Sequence, residues 1–168
     1  RELYPDNTIV DGDGTRVEVE VLEEGMLGEQ VLRLIDYMYN INHLVVSGSI
    51  NDTDIDCIKN SMTSLISVDF SGLNMEVVPN SLFYNNRTLT KVILPNNTTE
   101  IGSEAFRFCK RLKEVALPET LTKIGSYAFN DSGLDTIALP ANVVEINNNA
   151  FESCYHLKSI NIPLGMKR

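Results

Sequence analysis

LPETLTKIGSYAFNDSGLDTIALP, from Leu117 to Pro140, is a unit that the chain repeats on both sides. Its apolar frame is L-x-x-[VI]-x-[LFI]-[PS]. The frame stands at Leu65/Val68/Phe70/Ser71, Leu89/Val92/Leu94/Pro95, Leu112/Val115/Leu117/Pro118, Leu134/Ile137/Leu139/Pro140 and Leu157/Ile160/Ile162/Pro163. A weaker copy, Ile41/Leu44/Val46/Ser47, begins the series. The central apolar residues 44, 68, 92, 115, 137 and 160 follow one another at 24, 24, 23, 22 and 23 residues. A period in the low twenties marks stacked modules, each needing its neighbour to bury its apolar flank. The fold class read from this is an α/β repeat solenoid.

Each module has two halves. V-x-L predicts a short strand, with two side chains turned in and the one between them turned out. Every copy returns in the same direction after a crossover, so the strands should form one parallel ladder. The proline that follows has no amide to extend it. The second half, I-G-S-E-A-F-x-x-C, sets Ile101, Ala105, Phe106 and Cys109 in one copy. Ile124, Ala128 and Phe129 take these slots next, then Ile146, Ala150, Phe151 and Cys154; Val78, Leu82 and Phe83 fill them earlier. Spacings of four, five and eight predict one side of a short helical turn. Two copies depart: Ser132 sits near the Cys slot of a unit one residue shorter, and in the next copy Asn147 replaces the glycine of Gly102 and Gly125.

The pattern L-P-x-x-L-x-x-I-G-x-x-A-F-x-x-C-x-x-L, over about Leu65–Pro163, resembles that of the BspA-type leucine-rich repeat family. The stretch from Leu44 to Asp54, followed by Met62-Thr-Ser-Leu65, is similar to the first repeat of bacterial surface members. The resemblance implies a right-handed superhelix with a parallel β-sheet on the concave face. It implies short helical or irregular turns on the convex face and an N-terminal strand–helix cap. It also implies a bacterial cell-surface, secreted or periplasmic setting and adhesion-type roles.

The expected organisation is a cap over residues 1–40 and repeats over 41–168, about five and a half units. In the cap, residues 16–21 (RVEVEV) alternate as a half-exposed strand. Leu27, Val31, Leu34, Ile35 and Met38 give residues 28–39 a helical stripe. Such a cap hides the apolar end of the first repeat. Asp11-Gly-Asp-Gly14 reads as a tight turn. A calcium loop would need further oxygen ligands, and Leu22 stands where its terminal Glu belongs. At the other end, Pro163–Arg168 aligns with Pro118–Lys123, so a continuing array would go on with Ile-Gly.

The 168 residues carry a formal charge of −9, the wrong sign for a nucleic-acid partner. No apolar run approaches the length of a membrane span, so the fragment is not expected to insert in a membrane. A monomer is the expected state. Cys57, Cys109 and Cys154 fall two repeats apart, roughly 10 Å at the strand spacing, beyond the ~7 Å disulfide limit. They read as three small buried hydrophobes with thiols. Asn-rich connections fit tight turns, and the acceptor tripeptides beginning at Asn51, Asn86, Asn96, Asn97 and Asn130 read the same way. Asp135-Thr136-Ile137 resembles a bacterial O-glycosylation signal.

No catalytic, metal or cofactor constellation emerges. His43 and His156 lie five strand steps apart, and the I-G pairs belong to the repeat. The candidate binding face is the pair of outward strand columns, which in a solenoid would be concave. One column is His43, Ser67, Lys91, Glu114, Thr136 and Ser159. The other is Val45, Asp69, Ile93, Ala116, Ala138 and Asn161. A second, convex candidate holds Tyr84, Phe108, Tyr127 and Tyr155, for which packing between neighbouring turns is the plainer reading. The functional expectation is a non-enzymatic surface or secreted module binding an unknown protein or glycan, without cofactor. The alternative is a structural spacer in a larger surface protein.

Overall fold

A computed structural model describes residues 2–3, 8–11, 15–32 and 38–166. Positions 12–14 of the expected turn, 33–37 of the expected helix, and 167–168 lie outside the described residues. The chain forms two compact units, Arg1–Asn74 and Met75–Arg168.

In the first unit, β1 (Glu2–Leu3), β2 (Ile9–Val10) and β3 (Arg16–Val21) pair antiparallel in succession. β3 then pairs parallel with β4 (His43–Gly48), Arg16 opposite His43 through Val21 opposite Gly48. β4 pairs parallel with β5 (Ser67–Leu73), their register shifting between Val45 and Ser47 at a bulge. Alternation works as patterned: Val17, Val19 and Val21 are buried, and Arg16 and Glu20 are exposed. Helix α1 (Leu27–Leu32) buries Leu27 and Val31 and packs on β3. A 3-10 turn, Met38–Asn40, leads into β4. Helix α2 (Asp52–Ser61) starts on a capping box, with the Asn51 side chain accepting from the Thr53 and Asp54 amides. The fully buried Asp54 carboxylate accepts from the amides of Gly25 (2.7 Å), Leu27 (2.9 Å) and Asn51 (3.1 Å). Three charge-assisted bonds offset its desolvation and pin the start of α1 to α2.

In the second unit each repeat contributes two strands, not the single strand expected. β7 (Lys91–Ile93) pairs parallel with β9 (Glu114–Ala116), and β11 (Thr136–Ile137) with β13 (Ser159–Ile160). β7 and β9 centre on the apolar V-position with one residue on each side, and β11 and β13 end on it, rather than running V-x-L. A second parallel ladder joins β6 (Val77–Val78), β8 (Glu100–Ile101), β10 (Lys123–Ile124) and β12 (Glu145–Ile146). Within the second unit the first ladder is two pairs, not one run. The break between β9 and β11 coincides with the repeat that is one residue short.

The A-F segments are hydrogen-bonded turns, which corrects the helical expectation. The physical reason lies in their amides. Leu82, Tyr84 and Asn86 donate three residues back, to Pro79, Ser81 and Phe83; Ser81, Phe83 and Asn85 donate across to Ser103, Ala105 and Arg107 of the next repeat. The same alternation recurs at Glu104–Cys109. A helix would need every amide for itself. Left-handed residues four apart sustain the pattern: Ser81/Asn85, Glu104/Phe108, Tyr127/Asp131 and Asn149/Ser153.

The core is a column of repeated slots. Phe83, Phe106, Phe129 and Phe151 stack with centroids 5.7, 5.2 and 5.3 Å apart, close to the ~4.8 Å strand step. Threonines bind the repeats through the backbone: Thr98 Oγ1 donates to Met75 O (2.7 Å), Thr120 Oγ1 to Thr98 O (2.7 Å) and Thr122 Oγ1 to Thr99 O (3.1 Å). The architecture is a leucine-rich repeat fold with parallel sheets and few helices.

Candidate functional site

The two columns flank buried central residues: Leu44 and Val68 in the first unit, Val92 and Ile137 in the second. In the first unit His43, Val45, Ser67 and Asp69 are half-buried. His43 Nδ1 lies 2.7 Å from Ser67 Oγ, and Asp69 Oδ1 accepts from the Ser71 amide beside the bulge. In the second unit Lys91 and Ile93 are half-buried, and Glu114, Ala116, Thr136, Ala138, Ser159 and Asn161 are exposed. Register puts Lys91 opposite Glu114, where they form a 2.8 Å ion pair, Ile93 opposite Ala116, and Thr136 opposite Ser159. Ala138 and Asn161 fall just past β11 and β13. Asn161 Oδ1 accepts from the Leu139 amide (2.7 Å) and its Nδ2 donates to Leu139 O (2.8 Å), so it buttresses the fold.

Sequence patterning missed a third column. The second ladder aligns Val77, Glu100, Lys123 and Glu145, with Lys123 Nζ 3.1 Å from Glu100 and 4.0 Å from Glu145. Hydrogen bonding to Glu100, with the charge of both carboxylates, raises the Lys123 pKa. The signal was present in the residue before each Ile or Val of that slot, but it takes a second strand to turn it into a column.

The aromatic candidates sit on the turns. Phe108 meets Tyr84 edge-on at 5.5 Å, and the Arg107 guanidinium lies 4.6 Å from the Phe108 ring and 4.7 Å from that of Tyr127. Arg107 also pairs with Glu104 and donates to Asn130 Oδ1 (3.1 Å). Packing between neighbouring turns therefore accounts for Tyr84, Phe108 and Tyr127. Tyr155 is different: it is 85% exposed.

The thiols have a structural use beyond filling space. Cys109 Sγ donates to Phe83 O and Cys154 Sγ to Phe129 O, each at 3.0 Å, tying a turn to the repeat before it. Burial pushes the Cys109 thiol up to about 12. Cys57 lies on α2, where burial and then the Asp54 charge push it up to about 11.

Beside Cys154 lies a cleft of about 290 Å³ lined by Lys110, Asp131, Ser132, Ser153, Tyr155 and His156. It marks the short repeat. In full-length turns, Lys110 and Tyr155 donate their amides back to Phe108 O and Ser153 O. In the short turn Gly133 donates instead to Cys109 O of the preceding repeat (3.1 Å). The backbone drops so close that a Cβ on Gly133 would stand 2.2 Å from Lys110 O. One residue is absent from the row and its neighbours wall the gap. Among the described residues no group of three or more His, Cys, Asp and Glu could hold a metal ion, and no helix is long and apolar enough to cross a membrane.

Known proteins place this architecture. Residues 76–168 match the BspA type leucine rich repeat region in 6 copies. Among solved structures, a leucine rich repeat protein of T. pallidum is similar at 21% identity and TM-score 0.60, over 98% of this chain and 73% of its own. A leucine-rich repeat protein of Bacteroides ovatus is similar at 22% identity and TM-score 0.62, over 95% of this chain and 40% of its own. A leucine rich cell surface protein of Faecalibacterium prausnitzii gives 19% identity and TM-score 0.57, over 95% and 54%. The chain thus spans about half or less of the length of the last two. No curated protein matches. With the repeat motif matched over more than half its length and the stacked parallel strands to go with it, the chain belongs to the BspA-type leucine-rich repeat family.

Proposed function

We propose that the chain is a non-enzymatic binding module of a bacterial surface, secreted or periplasmic protein, presenting its strand columns to a protein or glycan partner. The observation that carries this reading is the pair of in-register outward sets of the second unit, Lys91 opposite Glu114 and Thr136 opposite Ser159, each on parallel strands. Repeat proteins use such rows as concave, extended binding surfaces. In this reading residues 1–40 cap the repeats, which the six-residue pairing of β3 with β4 supports; a soluble, cooperatively folding 41–168 fragment would count against the cap. No cofactor or metal enters the role, and the chain acts as a monomer.

A second reading, a spacer that holds another domain away from the cell, is favoured by the mild chemistry of the columns. They lack the aromatic and arginine anchors that dominate interface energetics, and Asn161 and Asp69 are engaged by backbone. A binding screen against extracellular-matrix proteins and polysaccharides separates the two. The chain is compared with a Lys91→Ala, Glu114→Ala, Thr136→Ala variant, keeping Asn161 for its bonds to Leu139. A binder weakened by the triple change supports the first reading. No binder supports the spacer, and binding untouched by the change moves the site elsewhere.

A further inference from the structure

We propose that the cleft at the short repeat is a subsite for a neutral pyranose residue of a glycan. It is separate from the strand columns and stands or falls apart from them. Its origin is a deletion: turns 108–112 and 153–157 have five residues where 131–134 has four. Gly133 fills the row without a side chain, and its amide turns onto Cys109 O of the preceding repeat.

The lining fits a single sugar ring. At about 290 Å³ the cleft sits at the bottom of the ~300–1,000 Å³ range of ligand pockets, enough for one ring rather than a chain. Tyr155 offers an 85% exposed aromatic wall whose hydroxyl lies 3.4 Å from Ser153 Oγ. An aromatic face of this kind accepts the C–H side of a pyranose while its polar tip stays wet. Asp131 supplies a carboxylate, paired with Lys110 Nζ at 2.9 Å. The carboxylate accepts from one ring hydroxyl while the ammonium beside it donates to the next, both charge-assisted. Because Asp131 and Lys110 offset each other, the floor favours an uncharged sugar over a phosphate or carboxylate. An apolar peptide side chain would desolvate that pair without repaying it.

The test is amide chemical-shift titration of the full chain with methyl glucopyranoside, methyl galactopyranoside and methyl mannopyranoside in turn, alongside sodium sulfate. The expected result is saturable shifts with at least one glycoside, at about millimolar Kd, confined to residues 110, 131–133 and 153–156. Tyr155→Ala and Asp131→Asn should each weaken the binding at least about tenfold, with the thermal midpoint unchanged. Inserting one alanine between Ser132 and Gly133, which restores a full-length turn, should abolish the shifts while the rest of the spectrum persists. No shift with any glycoside overturns the proposal. So do shifts indifferent to Tyr155→Ala, or shifts at these amides with sulfate alone.

Discussion

Replacing Phe129 by Ala removes the middle of a stack. Its ring is fully buried, 5.2 Å from Phe106 and 5.3 Å from Phe151, with both neighbours within 7° of parallel. A buried Phe→Ala change costs about 3–5 kcal/mol, and each aromatic pair adds about 0.5–1.5 kcal/mol beyond its area. With two such pairs lost, Phe129→Ala should fall near the top of that range, about 4–5 kcal/mol. Phe151→Ala is the control. Its ring is half-buried and, among the described residues, stacks on Phe129 alone, so truncation should cost about 2 kcal/mol. The gap of about 2–3 kcal/mol is large against a total of about 5–15 kcal/mol. Urea unfolding followed by far-UV circular dichroism reads it, with unchanged slopes licensing the comparison. Phe129→Leu should recover most of the loss. Equal costs for Phe129→Ala and Phe151→Ala would refute the idea that each repeat is sealed by the one on either side.

Further outcomes follow from single contacts. Gly133→Ala should cost about 3 kcal/mol or more, since its Cβ meets Lys110 backbone at 2.2 Å. Gly165→Ala, with nothing within 4 Å, should stay within about 0.5 kcal/mol, and thermal denaturation compares them. Asp54→Ala leaves three amides, that of Leu27 buried, without their acceptor and should cost about 3–5 kcal/mol in urea unfolding; a cost below about 1 kcal/mol would contradict its role as a clamp. Cys109 is raised from an ordinary 9.0 to about 12. The unfolded chain therefore ionises first, so the thiol's stabilising effect is intact below pH 9.0 and is lost between there and about pH 12. Denaturant midpoints should fall more steeply over that window for the wild type than for Cys109→Ala.

The repeat period was legible because it needs only spacing: 92, 115, 137 and 160 all fall within β7, β9, β11 and β13. The turns were less so. Ala105, Phe106 and Cys109 have a helix-compatible spacing, but their backbone sends alternate amides to the next repeat, a long-range choice that local pattern cannot express. The second ladder was hidden for a related reason, because two-residue strands such as Glu100–Ile101 carry no alternation to read. The residues of the candidate columns are exposed or half-buried, and the engagement of Asp69 and Asn161 with backbone shows only in three dimensions. The cleft left a faint trace, a missing residue beside Gly133, whose meaning depends on the walls that Lys110 and Tyr155 provide.

Backbone nuclear Overhauser contacts across the second ladder test the stacking most directly. The account predicts contacts pairing Ile101 with Ile124 and Ile124 with Ile146, joined by ring contacts from Phe83 through Phe106 and Phe129 to Phe151. Contacts offset by one residue, or phenylalanine rings dispersed among unrelated partners, would contradict it.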